Sequence, residues 1–327
     1  MQTDNLFKNL EIDTKQQFVD KYFNTSNKIK IKSLNYYNDK TVLITGAGGS
    51  IGKNLFFELI HSKPKKIILV EQDELKLFNV KKEYENIKLK NLKQFEVIFK
   101  LGNLSNEFFL KEIFLNDKKI DYVLHAAAYK HVGFGEENIF SFVKNNIFVT
   151  YNLAKISITK KVKKFIFIST DKAVNPKSVM GYSKSICEKI LIYLNEKHNL
   201  KNVFKIVRFG NVINSDGSVI PIFEKQILKG GPLTVTNKDV TRYFMSIKNA
   251  CQLVLHTIEI NKKNGLFILD MGKSYKILNI AKSMINFYLE KKIITNKPKI
   301  IFIGLQQGEK IYEELILGKN LVKTRIK

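Results

Sequence analysis

Apolar residues in this chain gather in short runs separated by longer stretches of helical spacing. "TVLIT" (41–45) is a β-branched run, and similar runs return as "KKIILV" (65–70), "DYVLHAA" (121–127), "KFIFIS" (164–169) and "KIVRFGNV" (205–212). Runs with apolar residues at successive positions predict strands buried on both faces. Between them, helical patterns cover 73–90, 136–159 and 178–198. Short buried strands alternating with helices predict an α/β fold, a Rossmann-like doubly wound parallel sheet. Past residue 212 the texture changes: "GSVIPIF", "KGGPLTV" and "LFILDMG" bring Gly, Pro and short strands close together. They predict a smaller mixed C-terminal part (213–327) interleaved with a sheet domain (39–212). Residues 1–38 carry Leu6, Phe7, Leu10, Phe18 and Phe23 at imperfect helical spacing, and predict an N-terminal helical arm.

Composition narrows the class. Apolar residues make up 44% of 327, ample for a buried core. No stretch reaches the ~20 apolar residues of a membrane helix, and "MQTDNLFKNLEID" lacks a signal pattern. The expectation is a cytoplasmic protein with no transmembrane segment. Cys187 and Cys251 are far apart and read as reduced thiols. The histidines form no i,i+4 pair, so no metal site is expected. The net charge of +25 rests almost wholly on Lys spread over the chain, with Arg only at 208, 242 and 325. That spread reads as compositional bias, with no nucleic acid partner expected, although a non-catalytic basic binding protein stays an alternative. Against so much Lys, each Arg invites a geometric reason, because a guanidinium offers a planar fork.

"TGAGGSIG" places Gly46, Gly49 and Gly52 at three-residue spacing after the first strand. The first permits a tight turn, the second lets backbone approach a pyrophosphate, and the third allows close helix–strand packing. The amides of Ser50 and Ile51 open the helix that would face the phosphates. Glu71, or next Asp73, ends the second strand, where an acid accepts hydrogen bonds from ribose hydroxyls and repels a 2′-phosphate. Both favour NAD as cofactor. The glycine spacing resembles the extended short-chain dehydrogenase/reductases. That resemblance implies that Asn103 and Leu104 lie by the adenine and that Ala126, Ala127 and Ala128 wall the nicotinamide half. It further implies that Thr170 bonds the substrate and that Lys184 holds the nicotinamide ribose.

The usual Tyr four residues before that Lys is absent; Met180 stands there. Tyr182 lies about 200° around the helix from Met180, on roughly the opposite face. Asp171 and Lys172 sit nearer the strand end, an adjacent acid–base pair at the mouth of an apolar strand. "HAAAYKHV", "STDKAVNPKSVMGYSK", "RFGNV", "GSVIPIF", "GGPLTVT", "TRYFM" and "GLQQGEKIYEEL" together resemble the nucleotide-sugar 4,6-dehydratases of polysaccharide biosynthesis. The nearest branch has Met for Tyr and resembles UDP-N-acetylglucosamine 4,6-dehydratases. The resemblance implies oxidation at C4 of a UDP-sugar, removal of the C5 proton by Lys172, and a proton from Asp171 to the departing C6 hydroxyl. It implies a homo-oligomer. It assigns substrate contacts to Lys130, Asn211, Ser218, Val219, Ile220, Arg242 and Glu309, and lets Arg208 brace the active site through a bidentate carboxylate pair. Gln306 replaces a common Arg, and Gly133–Phe134–Gly135 replaces Pro-Leu-Met. An epimerase on the same scaffold is the alternative enzyme.

Overall fold

Each of the five apolar runs contributes a strand to one parallel sheet. The computed structural model describes residues 14–23, 34–88, 95–117, 119–260 and 265–316; Leu6, Phe7 and Leu10 of the proposed arm lie outside them. The strands are β1 (Thr41–Thr45), β2 (Lys66–Glu71), β3 (Glu96–Leu101), β4 (Tyr122–His125), β5 (Lys164–Thr170) and β6 (Phe204–Phe209). A later strand, β10 (Leu266–Ile268), joins the free edge of β6. The order is β10-β6-β5-β4-β1-β2-β3, and all neighbouring pairs run parallel. The order reverses between β1 and β4. At such a switch point loops diverge and leave a crevice beyond the carboxyl ends of the strands.

Helices α2 (Ser50–Leu59), α3 (Glu74–Lys88), α4 (Glu107–Asn116), α7 (Val149–Thr159) and α8 (Val179–Lys197) follow the strands in turn, and α10 (Ile247–His256) precedes β10. Before α7 come α5 (Val132–Glu137), α6 (Ile139–Phe142) and a π-helical turn over Val143–Phe148. The core of this unit joins Leu43, Ile68, Val123, Phe165 and Phe204 of the sheet to Leu153 of α7 and Cys187 and Leu191 of α8.

Contacts divide the chain into two units with alternating segments. Among the described residues, those within 31–209, 250–270 and 314–327 form the sheet unit, and those within 1–30, 210–249 and 271–313 the smaller unit. In the smaller unit, α1 (14–23) lays Phe18 and Phe23 against Phe287, Phe244 and Tyr275. Around it are β7 (Asn211–Val212), α9 (Val219–Leu228), β8 (Leu233–Val235), β9 (Thr241–Met245), β11 (Ser274–Lys276), α11 (Ile277–Glu290) and β12 (Ile300–Phe302). The strands form two small sheets, β11-β9-β7 and β12-β8. Buried Glu224 of α9 accepts from Lys15 of α1 at 2.7 Å and from Tyr288 of α11 at 2.9 Å, a polar clasp inside an apolar core. Among the described residues, no helix is long and apolar enough to cross a membrane.

The join between β1 and α2 tolerates no side chain at its third glycine. A Cβ on Gly52 would stand 2.1 Å from the Gly46 carbonyl oxygen. Gly52→Ala is therefore expected to lower stability by about 1–3 kcal/mol through overpacking, read from the midpoint of urea unfolding.

Candidate active site

The glycine loop follows β1 directly, and its first residue has φ +65°, a conformation that favours glycine. A Cβ on Gly46 would lie 2.7 Å from the Ala127 backbone, so the loop and the segment after β4 are in near contact. Helix α2 begins with no side-chain cap and no acid in its first turn, so its N-terminal end carries no carboxylate that would repel an anion. Beside them is a cavity of about 180 Å3 lined by Gly46, Gly49, Glu71, Leu104, Ala126, Ala127 and Ala128, all seven expected at the cofactor. Gly102, Lys76, Gln72, Tyr129, Asn145, Val70 and Val149 complete the lining. Ser50, Ile51, Gly52, Asp73, Asn103 and Lys184 are not in it. Asp73 Oδ1 accepts from the Lys76 amide at 3.0 Å, which holds its carboxyl below the usual range. Asn103 Oδ1 accepts from the Ser105 amide at 2.8 Å. Glu71 is nearly buried and grips backbone: Oε2 accepts from Gly48 N at 2.9 Å, and Oε1 from Gln72 N at 2.9 Å and Asp73 N at 3.1 Å. One carboxylate thus fastens the glycine loop to the end of β2. A small-residue loop, an uncapped helix start and an acid at the strand end fit a dinucleotide.

Behind this wall runs a buried polar chain that the sequence reading missed. Thr150 Oγ1 donates to the Asn146 carbonyl at 2.6 Å, so it accepts from His125 Nε2 at 2.9 Å. His125 Nδ1 is then the acceptor, taking the Thr45 hydroxyl proton at 2.7 Å. Thr45 Oγ1 in turn accepts from Ala127 N at 3.3 Å. Burial pulls the His125 pKa down to about 3, so the ring is neutral at ordinary pH. The π-helical turn carries Asn146 inward, where its amide bonds both backbone groups of Tyr129 and the Ser183 hydroxyl. A polar residue on the inward face of an apolar helical pattern was the available signal.

The segment expected to carry the reaction leaves β5 at Thr170. Thr170 Oγ1 donates to Asp171 Oδ1 at 2.8 Å, and Lys172 Nζ donates to the same oxygen at 3.0 Å. Asp171 is fully buried, and its Oδ2 has no hydrogen-bond partner. Lys172 is one-fifth exposed. Gly181 lets this turn lie on α8, since a Cβ there would be 2.4 Å from the Lys172 carbonyl oxygen. The start of α8 is held twice: Ser178 Oγ accepts from Gly181 N at 3.1 Å, and Glu136 from Val179 N at 2.8 Å. With the start fixed, Met180 and Lys184 are buried and Tyr182 is exposed. Lys184 Nζ donates to Ile168 O at 2.8 Å and lies 4.4 Å over the Phe167 ring; burial lowers its pKa to about 8. Arg208 has the carboxylate partner expected of it. Its Nε and Nη2 reach Glu188 of α8 at 2.8 and 2.5 Å.

In the smaller unit, Arg242 and Glu309 pair with each other at 3.0 Å, and Arg242 also donates to the carbonyls of Thr241 and Ile311. Glu309 accepts from the Thr236 hydroxyl as well. Ser218 precedes α9, whose N-terminus has no side-chain cap, with Val219 and Ile220 in its first turn. Ser218 Oγ and Asn214 Oδ1 are buried atoms without a hydrogen-bond partner. Asn211 begins β7, and Lys130, in the sheet unit, is exposed.

Residues 42–326 match the family model described as polysaccharide biosynthesis protein. This chain belongs to that family. It is 43% identical over 282 residues to the capsular polysaccharide biosynthesis protein CapD of Staphylococcus aureus, covering 86% of this chain and 46% of CapD. The chain thus spans about half the length of that relative. It is 34% identical over 291 residues to a UDP-glucose 4-epimerase of Rickettsia canadensis, covering 88% of this chain and 80% of the epimerase. Among solved structures, Pen from Bacillus thuringiensis aligns with TM-score 0.76 and 34% identity over 86% of this chain and 82% of its own.

The neutral, buried His125 gives a pH signature. Its folded pKa of about 3 lies below the unfolded value of 6.5, so the unfolded chain takes up a proton that the native state refuses. Stability is expected to fall as pH drops from 6.5 towards 3, by ~1.4 kcal/mol per unit. His125→Asn should be less stable at pH 7 but lose about 2 kcal/mol of the difference between pH 7 and pH 5, measured by urea unfolding at both.

Proposed function

We propose that this protein is an NAD-dependent enzyme that dehydrates a UDP-N-acetylhexosamine, foremost UDP-N-acetylglucosamine, to the 4-keto-6-deoxy sugar. The observation that carries the reading is the Asp171–Lys172 pair, enclosed at the carboxyl end of β5 while Met180 occupies the place of a Tyr. Exchange of configuration at one carbon needs a single acid–base site. Loss of water across C5 and C6 needs a base and an acid together, and the segment offers both.

Held by the glycine loop, Glu71 and the 126–128 wall, NAD would supply the two-electron oxidation at C4 and the matching reduction at C6. The chain's own groups manage the protons. Thr170 Oγ1, already bonded to Asp171, passes the 4-hydroxyl proton to that carboxyl. The Lys172 amine takes the C5 proton, which the adjacent C4 ketone has acidified. Asp171 then delivers its proton to the C6 hydroxyl, which departs as water, and Lys172 returns its own proton to C5. The sugar loses one water, and both side chains end as they began. Met180 is an apolar wall without a proton to exchange.

The smaller unit supports a nucleotide ligand. The open start of α9, with the unpartnered Ser218 Oγ and Asn214 Oδ1, offers donors and acceptors for a diphosphate and a uracil edge. In this reading Asn211 adds a diphosphate contact, Lys130 reaches the sugar side, and the Arg242–Glu309 pair stiffens the nucleotide site. The Rickettsia relative favours the alternative, an epimerase.

Mass spectrometry of UDP-N-acetylglucosamine after incubation with the protein and NAD separates the two. A product lighter by one water is expected, and a product of unchanged mass would establish the epimerase instead. Lys172→Ala should bind sugar nucleotide and NAD yet form no product; full turnover by that variant would remove Lys172 from the mechanism.

A further inference from the structure

Glu188 is a buried carboxylate that no step above uses. It lies one helical turn beyond Lys184, on the same face of α8. Its Oε1 accepts from Ser169 Oγ at 2.5 Å and Arg208 Nε at 2.8 Å, and its Oε2 from Arg208 Nη2 at 2.5 Å. Ser169 and Arg208 are register partners on β5 and β6. Glu188 therefore joins three elements immediately behind Thr170. Lys184 grips Ile168, the neighbour of Ser169, so α8 holds β5 at consecutive residues.

Two cations, Lys184 and Arg208, would otherwise share this interior with one neutral imidazole. The groups facing Lys184 are His125 from β4, Phe167 from β5, and Cys187 and Glu188 from its own helix. Cys187 is a thiol whose pKa burial raises, and His125 is uncharged. Glu188 is the anion of the set.

We propose that Glu188 is a positioning residue for the cofactor: it fixes Lys184 against β5 and, as the buried counter-charge, keeps that ammonium charged for the nicotinamide ribose. The proposal rests on the cofactor reading above, in which Lys184 holds that ribose. An ammonium offers the ribose donors in every rotamer, and a neutral amine offers fewer. Cofactor affinity should then fall as pH rises through the Lys184 pKa of about 8.

The test is NADH binding, followed by its fluorescence from pH 6 to pH 10 in the full chain, with thermal melts to show which variants fold. The parent should lose affinity with a midpoint near pH 8. Glu188→Gln removes the anion and should move the midpoint down by about one unit. Glu188→Asp keeps the charge and should hold the midpoint while weakening binding at every pH. A downward shift in Glu188→Gln that Glu188→Asp does not share cannot come from loosened packing, which would weaken binding in both without moving a titration. An unmoved midpoint in Glu188→Gln, or a midpoint in Glu188→Asp that follows Glu188→Gln, overturns the proposal. Absence of NADH binding by the parent at any pH overturns the cofactor reading, and this proposal with it.

Discussion

The carboxyl end of β5 cannot move without α8. Lys184 bonds the carbonyl of Ile168, Ser169 bonds Glu188, and the Lys172 carbonyl lies where any side chain at 181 would stand. These ties fall within a few residues of Thr170, Asp171 and Lys172. A carboxyl and an amine held 3.0 Å apart on adjacent residues need such rigidity, because a flexible strand end would let water separate them. The enclosure of Asp171 follows from the same ties.

The glycine-loop side obeys a parallel logic. Glu71 binds three backbone amides, one of them in the glycine loop, so the loop's shape is set by a side chain on the neighbouring strand. Asn146 does the same for the wall after β4, where it bonds both backbone groups of Tyr129 and reaches Ser183 on α8. In both cases one side chain replaces what a longer hydrogen-bonded element would supply.

Much of this was legible in the sequence. Apolar runs located five strands, because strands buried on both faces tolerate few polar residues. The glycine spacing located the loop, and helical phase separated buried Met180 from exposed Tyr182. Less legible was anything set by distant partners. Glu71 reads as a free ribose ligand until Gly48 is placed beside it. Arg242 and Glu309 read as separate contacts, since nothing in their spacing of 67 residues shows that they pair. Residues 250–270 return to the large sheet through β10, a strand of three residues too short to carry a periodic signal. The π-helical turn was hidden for a related reason: one extra residue shifts the phase of a helix without altering its composition.

The bare hydrogen at position 181 has an implication for how such proteins diversify. Because the peptide after Lys172 rests directly on that spot, the stretch from Thr170 to Lys184 behaves as a single cassette. Its loop cannot lengthen, nor its helix rotate, without collision. Any variant of this block that keeps the fold must therefore keep the Lys172 carbonyl against a position without a side chain.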